Sequence, residues 1–209
     1  SLADQREDDL KHRRRVMTGI NEFPLLGDDG TNPEQVDRES VVSIEPEKSG
    51  ETFSLPALNP RPDSAPFERM RRAAVEHEKS GGDRPQIYLA SMGSIASHVN
   101  YANWAKSFFE VAGIETVPSG ALDGNDAQAR TFAAGGFELA AVCAGRGETA
   151  DDVADLVAKL REAGAKYIFM VNSTPDLNEA ALAAGADELV KNGVNLVEVL
   201  TATLDRLGV

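Results

Sequence analysis

Short apolar runs separated by longer amphipathic segments recur through the second half of the chain. The cores of these runs begin near Ile87, Ile114, Leu139, Tyr167 and Glu188. The intervals of about 20 to 28 residues leave room for one helix between successive strands. Strands that alternate with helices form a parallel sheet, because right-handed crossovers place the helices on both faces. The pattern therefore predicts an α/β fold with a doubly wound parallel sheet.

The ends of the predicted helices carry signals that agree with this pattern. A glycine stands before four of the strands, at Gly113, Gly136, Gly164 and Gly185, where a left-handed residue turns the chain back to the sheet. Helix starts are predicted at three capping residues: Thr149, Thr174 and Asn195. Together these signals predict a flavodoxin-like (βα)5 domain over residues 84–209.

The first part of the chain has a different composition. Residues 4–15 are charged with helical character, and residues 16–24, VMTGINEFP, predict a short strand with no visible partner nearby. Residues 27–63 are rich in proline, glycine, serine and charge, which predicts an extended linker. Residues 64–83 predict a connecting helix, capped by Ser64, that leads the chain into the sheet.

Composition excludes several classes of function. The chain carries 21 basic and 34 acidic residues, and its net charge of −13 would repel phosphates, so we expect no nucleic-acid partner. A single cysteine, Cys143, cannot form an internal disulfide and indicates a reducing, cytoplasmic compartment. No apolar run approaches the length of about 18 residues that a membrane helix needs, so we expect no membrane association.

Ligands of such a sheet bind outside the carboxyl ends of the strands, where the strand order reverses. The segments expected there are residues 91–98, 143–148, 171–174 and 191–193. They lack the acidic residues of a magnesium-dependent receiver site and the Gly-x-Gly-x-x-Gly turn of a dinucleotide site. Ser91, Ser94 and Ser97 offer hydroxyls for a flavin phosphate, although turns favour serine in general.

Three other side chains in these segments have candidate chemistry. Cys143 is a nucleophile by type, but a cysteine at a strand end is more often a small buried apolar residue. Arg146, within GRGE, could bind an anion together with backbone amides. The same four residues are also typical of a plain exposed turn. Lys191 has the position of a receiver lysine but stands without its acidic partners. We therefore expect no catalytic residue and no metal site.

Three stretches, IYLASMG, SFFEVAGIETV and GADELVKNG, carry a family resemblance. Through them residues 84–209 resemble the C-terminal cobalamin-binding domain of the methylmalonyl-CoA mutases. Upstream, RRRVMTGINEFP resembles the last strand of the barrel domain in the same enzymes. The resemblance implies that residues 1–26 are the end of a barrel domain, and that most of the barrel is missing from this chain.

The cobalamin loop of that family has the pattern Asp-x-His-x-x-Gly. There the histidine replaces the cofactor's own base on cobalt, the aspartate orients the imidazole, and the glycine leaves room for the nucleotide tail. His98 matches the histidine, but Ala96 stands at the aspartate position and Tyr101 at the glycine position. The resemblance thus implies a degenerate cobalamin site, in which His98 caps or packs near a helix start.

A degenerate site after a degenerate barrel resembles the small, non-catalytic subunit of heterodimeric methylmalonyl-CoA mutases. In that family the large subunit binds adenosylcobalamin and interconverts methylmalonyl-CoA and succinyl-CoA. The resemblance implies an isomerase subunit that binds no cofactor itself and pairs with the large subunit. Two alternatives remain open: a functional cobalamin domain that uses His98 as the cobalt ligand, and a flavodoxin-like small-molecule or regulatory binding module.

Overall fold

The computed structural model describes residues 2–26, 62–120, 122 and 124–209. The predicted linker, residues 27–63, lies outside the described residues except for its last two positions. The described residues up to Leu26 belong to one compact unit with those from Asp63 to Val209.

The predicted parallel sheet is confirmed, with the strand order β2-β1-β3-β4-β5. The strands are β1 (Gln86–Met92), β2 (Glu115–Pro118), β3 (Leu139–Ala144), β4 (Tyr167–Val171) and β5 (Glu188–Val190). All four pairings are parallel. Because the chain first adds β2 on one side of β1 and then β3 on the other, the strand order reverses between β1 and β3, as in flavodoxin-like sheets.

Helices lie on both faces of this sheet. They are α1 (Leu2–Lys11), α2 (Ala65–Lys79), α3 (Ile95–Phe109), α4 (Asn125–Ala134), α5 (Ala150–Glu162), α6 (Pro175–Ala183) and α7 (Leu196–Arg206). A 3₁₀ turn, Glu110–Ala112, continues α3. The four glycines predicted to close helices all have positive φ, between +67° and +105°.

The predicted helix caps are confirmed at two positions and corrected at two others. The side chains of Thr149 and Asn195 accept hydrogen bonds from backbone N–H groups in the first turns of α5 and α7. Thr174 precedes α6 in an extended conformation but makes no side-chain capping bond. Ser64 also makes none, because its backbone is already helical, with φ −77° and ψ −16°. An N-cap side chain reaches the following N–H groups from an extended backbone.

Two apolar cores flank the sheet. On one face, Ile87 and Phe169 pack with residues of α2, α3 and α7. On the other face, Tyr88 and Met170 pack with residues of α4, α5 and α6. Since β3 is covered on both sides, all six of its residues, Leu139–Ala144, are buried. Burial on both faces explains why the strand sequences are apolar runs rather than alternating patterns.

The strand predicted for residues 16–24 is wrong. The segment forms a tight loop with one isolated bridge, between Thr18 and Glu22. Asn21, which is fully buried, accepts a hydrogen bond from the Met17 N–H at 2.8 Å and donates to the carbonyl oxygen of Leu10 at 2.9 Å. These side-chain bonds to the backbone take the place of a strand ladder and fold the segment on itself.

Two arginines attach this N-terminal arm, residues 2–26, to the rest of the unit. Arg71 of α2 donates to the carbonyl oxygens of Gly19 at 2.7 Å and Ile20 at 2.5 Å. Arg13 of the arm donates to the carbonyl oxygen of Ser107, in α3, at 2.8 Å. Burial lowers the pKa of both guanidinium groups from its usual value. The arm is therefore held by charge-assisted bonds to main-chain carbonyls.

We predict that Arg71→Met lowers the free energy of unfolding by about 2–3 kcal/mol, because partly buried carbonyls lose a charged donor. Methionine keeps much of the apolar stem, so the loss isolates the hydrogen bonds. Arg72→Met, at an exposed position of the same helix, is the control and should change the value by less than about 0.5 kcal/mol. Urea unfolding measures both variants. Equal losses would contradict this role of Arg71.

Candidate functional site

The four segments expected to form the site meet at the carboxyl edge of the sheet. They border one cavity of about 500 Å³, between α3 and the loops that follow β3, β4 and β5. We call this cavity the edge groove. Each segment contributes to its wall: Ala96 and Ser97, Arg146, Val171 and Asn172, and Lys191 and Asn192. The sequence therefore located the edge and most of the loops that line it.

The helical wall of the edge groove was not among the predicted segments. Asn100, Tyr101 and Trp104 line the groove from the body of α3. With Ser97 they follow the spacing of three and four residues that places side chains on one face of a helix. This spacing was the available signal, but it is visible only once α3 is known to begin at Ile95.

Trp104 is fixed in position by two neighbours. Its indole N–H donates to Oδ1 of Asn192 at 2.8 Å, which joins α3 to the loop after β5. Its ring stacks on Phe108, with the ring centroids 5.0 Å apart and the planes at 24°. The aromatic wall is therefore formed in advance of any ligand.

His98 lies in the first turn of α3 rather than in the loop before it. Its Nδ1 is 3.2 Å from the carbonyl oxygens of both Met92 and Gly93. Since carbonyl oxygens only accept hydrogen bonds, Nδ1 carries the hydrogen and donates. His98 is half-buried and is not among the residues that line the edge groove.

The helical position of His98 has a consequence for residue 96. Residues two apart on a helix do not face each other. A carboxylate at Ala96 would therefore not reach the imidazole while this turn of α3 stays helical.

Ser97 packs directly into the crossover between β1 and β3. A Cβ added to Gly145, after β3, would lie 2.6 Å from Oγ of Ser97 and 2.9 Å from its Cβ. A Cβ added to Gly93, after β1, would lie 2.7 Å from the same hydroxyl oxygen. The two glycines thus allow the start of α3 to rest on the strand ends. This contact lies at the crossover of β1 and β3, the place where sheets of this type bind ligands.

A second cavity, of about 490 Å³, is acidic. Its lining includes Glu148, Asp152 and Asp155, together with Lys159. Burial raises the pKa of Glu148, and the nearby charge of Asp152 raises it further, whereas His98 acts in the opposite direction. Lys159 Nζ is 2.9 Å from Asp155 and 2.9 Å from Asp126. In the described residues no group of three or more histidine, cysteine or carboxylate side chains is placed to hold a metal ion.

Cys143 is fully buried within β3. Burial raises the pKa of its thiol to about 12, so the group stays protonated at neutral pH. Its sulfur lies 3.8 Å from the carbonyl oxygen of Ala141, within its own strand. These properties fit a small packing residue rather than a nucleophile.

In the part of the chain that the structure describes, every helix is too short or too polar to cross a bilayer.

No protein-family model matches the chain. A solved structure of a cobalamin-binding protein from Desulfitobacterium hafniense aligns with a TM-score of 0.43 and 17% identity, covering 66% of this chain and 67% of that one.

Curated relatives match the chain along almost all of its length. It is 31% identical over 205 residues to a methylmalonyl-CoA mutase small subunit from Streptomyces virginiae, and 29% identical over 206 residues to a probable small subunit from Mycobacterium bovis. The corresponding protein of Propionibacterium freudenreichii is 25% identical over 211 residues. These alignments cover 96–99% of this chain but only 29–30% of the relatives. The chain is therefore similar to one part of these methylmalonyl-CoA mutase small subunits, and it spans about 30% of their length.

Proposed function

We propose that this chain is part of the non-catalytic, structural small subunit of an adenosylcobalamin-dependent methylmalonyl-CoA mutase. The observation that carries the proposal is its alignment, over 98% of its length, with a protein named as that small subunit. In this proposal a large subunit binds adenosylcobalamin and interconverts methylmalonyl-CoA and succinyl-CoA. This chain contributes to assembly and supplies no catalytic group.

The geometry around His98 supports the non-catalytic part of the proposal. Nδ1 donates to main-chain carbonyls, so the hydrogen-bond partner of this nitrogen is not the carboxylate that the family pattern places there. Ala96 has no group that could do so, and Tyr101 lies in α3 where the family pattern has glycine. These residues do not fit the ligand set that the family uses for cobalt.

Access to the crossover between β1 and β3 gives separate support. A nucleotide tail inserted between Gly93 and Gly145 would meet the side chain of Ser97, at the start of α3. Movement of that turn would also break the bond from the His98 N–H to the carbonyl oxygen of Ser94, at 3.2 Å. We therefore propose that the site is degenerate in shape as well as in ligands.

The domain interpretation remains part of this proposal. Residues 1–26 are the end of a barrel domain, residues 27–63 a linker, residues 64–83 a connecting helix and residues 84–209 the cobalamin-binding-like domain. The attachment of the N-terminal arm through Arg13 and Arg71 is compatible with an upstream domain that docks onto this one. We also propose a cytoplasmic location.

One observation favours the alternative of a functional cobalamin domain. The hydrogen of the neutral imidazole is on Nδ1, which donates it to the main chain. Nε2 then has a free lone pair with which it could coordinate a metal. This alternative requires α3 to open at its start. It predicts cobalamin binding that depends on His98, which separates it from our proposal in one experiment.

We predict that the purified chain retains no adenosylcobalamin. After mixing in the dark and desalting, the protein should be colourless, and His98→Ala should behave identically, since the imidazole is engaged by the main chain. Ala96→Asp is expected to bind no better, because residues 96 and 98 point to different sides of the helix. A cobalamin spectrum that the protein keeps and that His98→Ala abolishes would establish the alternative.

We predict that the complete parent chain forms a heterodimer with a larger homologue that retains Asp-x-His-x-x-Gly. A paralogue without catalytic groups still offers a specific subunit surface, and obligate interfaces commonly bury more than about 2,000 Å². Co-expression followed by size-exclusion chromatography should yield one complex, and mutase assays should find activity only when the larger chain is present. Separate elution of the two chains, or isomerase activity of this chain alone, would contradict the structural role.

A further inference from the structure

Two residues of the N-terminal arm have a backbone conformation that their side chains disfavour. Arg13 has a φ of +52° and Phe23 a φ of +47°, and every other residue with positive φ in the described part of the chain is a glycine. The side chain of Phe23 is 70% exposed, so packing of its ring does not compensate for the strain. Strain of this kind persists only where neighbouring contacts hold the backbone in place.

Both strained residues bond to the same serine of α3. Arg13 donates to the carbonyl oxygen of Ser107 at 2.8 Å and to its Oγ at 3.4 Å. The Phe23 N–H donates to the same Oγ at 3.3 Å. Ser107 is buried, so a partner lost from this cluster is not simply replaced by water. The arm is thus clamped to α3 at one residue, while the strain in its own backbone favours release.

The guanidinium of Arg13 also reaches the aromatic pair of α3. Its central carbon lies 5.9 Å from the ring centroid of Trp104 and 5.7 Å from that of Phe108. Both distances fall within the range of about 6 Å for a cation–π contact. Trp104 is therefore positioned in part by a residue of the arm, in addition to its stacking on Phe108.

Trp104 connects the arm to the loop after β5. Its indole N–H donates to Oδ1 of Asn192 at 2.8 Å. In the same loop the Val194 N–H donates to the carbonyl oxygen of Lys191 at 3.4 Å, which closes a turn over residues 191–194. A continuous row of contacts leads from Arg13 through Trp104 to this turn. Coupling between separate parts of a protein is carried by packed side chains and hydrogen bonds of this kind.

We propose that the N-terminal arm acts as a conformational strap. Docked on Ser107, it fixes Trp104 and orders the turn of residues 191–194; released, it frees both. The bonds to Ser107 favour the docked state, and relief of the strain at Arg13 and Phe23 favours the released one. A displacement of the arm thereby changes the order of the carboxyl edge of the sheet without any contact there. This device goes beyond the proposed subunit role and does not depend on it.

Two measurements on the whole chain follow the two ends of the row. Trp104 is the single tryptophan of the chain, so acrylamide quenching of fluorescence reports its accessibility alone. NMR relaxation gives the backbone order parameters of residues 192–194. Arg13→Gln should raise the quenching constant about twofold or more, because the indole loses the arm beside it. It should also lower the order parameters from about 0.85, the value of rigid backbone, towards about 0.6.

Two further variants test whether the arm acts as a unit. Ser107→Ala removes the hydroxyl that Arg13 and Phe23 share, and should change both measurements in the same direction as Arg13→Gln. Arg71→Met loosens the arm at Gly19 and Ile20, away from the indole, and should do the same.

Arg14→Gln is the matched control. It makes the same change in charge at the next residue, but the Arg14 side chain bonds to Asp8 and Asp9 within the arm itself. This variant should leave the quenching constant and the order parameters at their wild-type values. Circular dichroism confirms that each variant is folded.

Three outcomes would overturn the proposal. The first is that Arg13→Gln leaves the order of residues 192–194 unchanged, whether or not quenching of Trp104 rises. The second is that Arg14→Gln has the same effect as Arg13→Gln, and the third is that Arg71→Met changes neither measurement. None of these experiments involves a second subunit, so failure here is distinguishable from failure of the proposed subunit role.

Discussion

The contact of Ser97 with Gly93 and Gly145 determines the shape of the functional edge of this protein. Neither glycine has a side chain, so the first turn of α3 comes down onto the ends of β1 and β3. A methyl group on either residue would clash with that turn. This packing lies between two open spaces: the edge groove, between α3 and the loops after β3, β4 and β5, and the second cavity, which is lined by Met92 and Gly93 at the end of β1 and by Glu148 after β3.

The same packing governs the role of the one residue that the sequence marked as a cobalt ligand. Once the start of α3 is seated, His98 is directed to the carbonyl oxygens at the end of β1. Its imidazole thereby ties the first turn of α3 to the end of β1. Under the proposed subunit role, the absence of an acid at Ala96 and the helical conformation of this segment both disfavour cobalt binding by His98.

The fold was predictable because local signals agreed with each other. Apolar runs such as residues 139–144 and glycines such as Gly164 are tied to their structure by short-range physics, and both appear where the sequence placed them. The prediction of a strand over residues 16–24 was wrong because one buried side chain, Asn21, donates hydrogen bonds to carbonyl oxygens of Leu10 and Arg15, which lie outside that segment. The approach of Ser97 to Gly145 joins residues far apart in the chain, and no local pattern in one sequence encodes such a contact.

The central claim, that the first turn of α3 is folded and packed on the ends of β1 and β3, is tested most directly by native-state amide hydrogen exchange. The His98 N–H donates to the carbonyl oxygen of Ser94, within that turn. The account predicts that the amides of residues 98–101 are protected from exchange to the same degree as those of residues 102–109. Exchange of residues 98–101 at the rate of an unfolded chain, with the rest of α3 protected, would show an open loop and contradict the account.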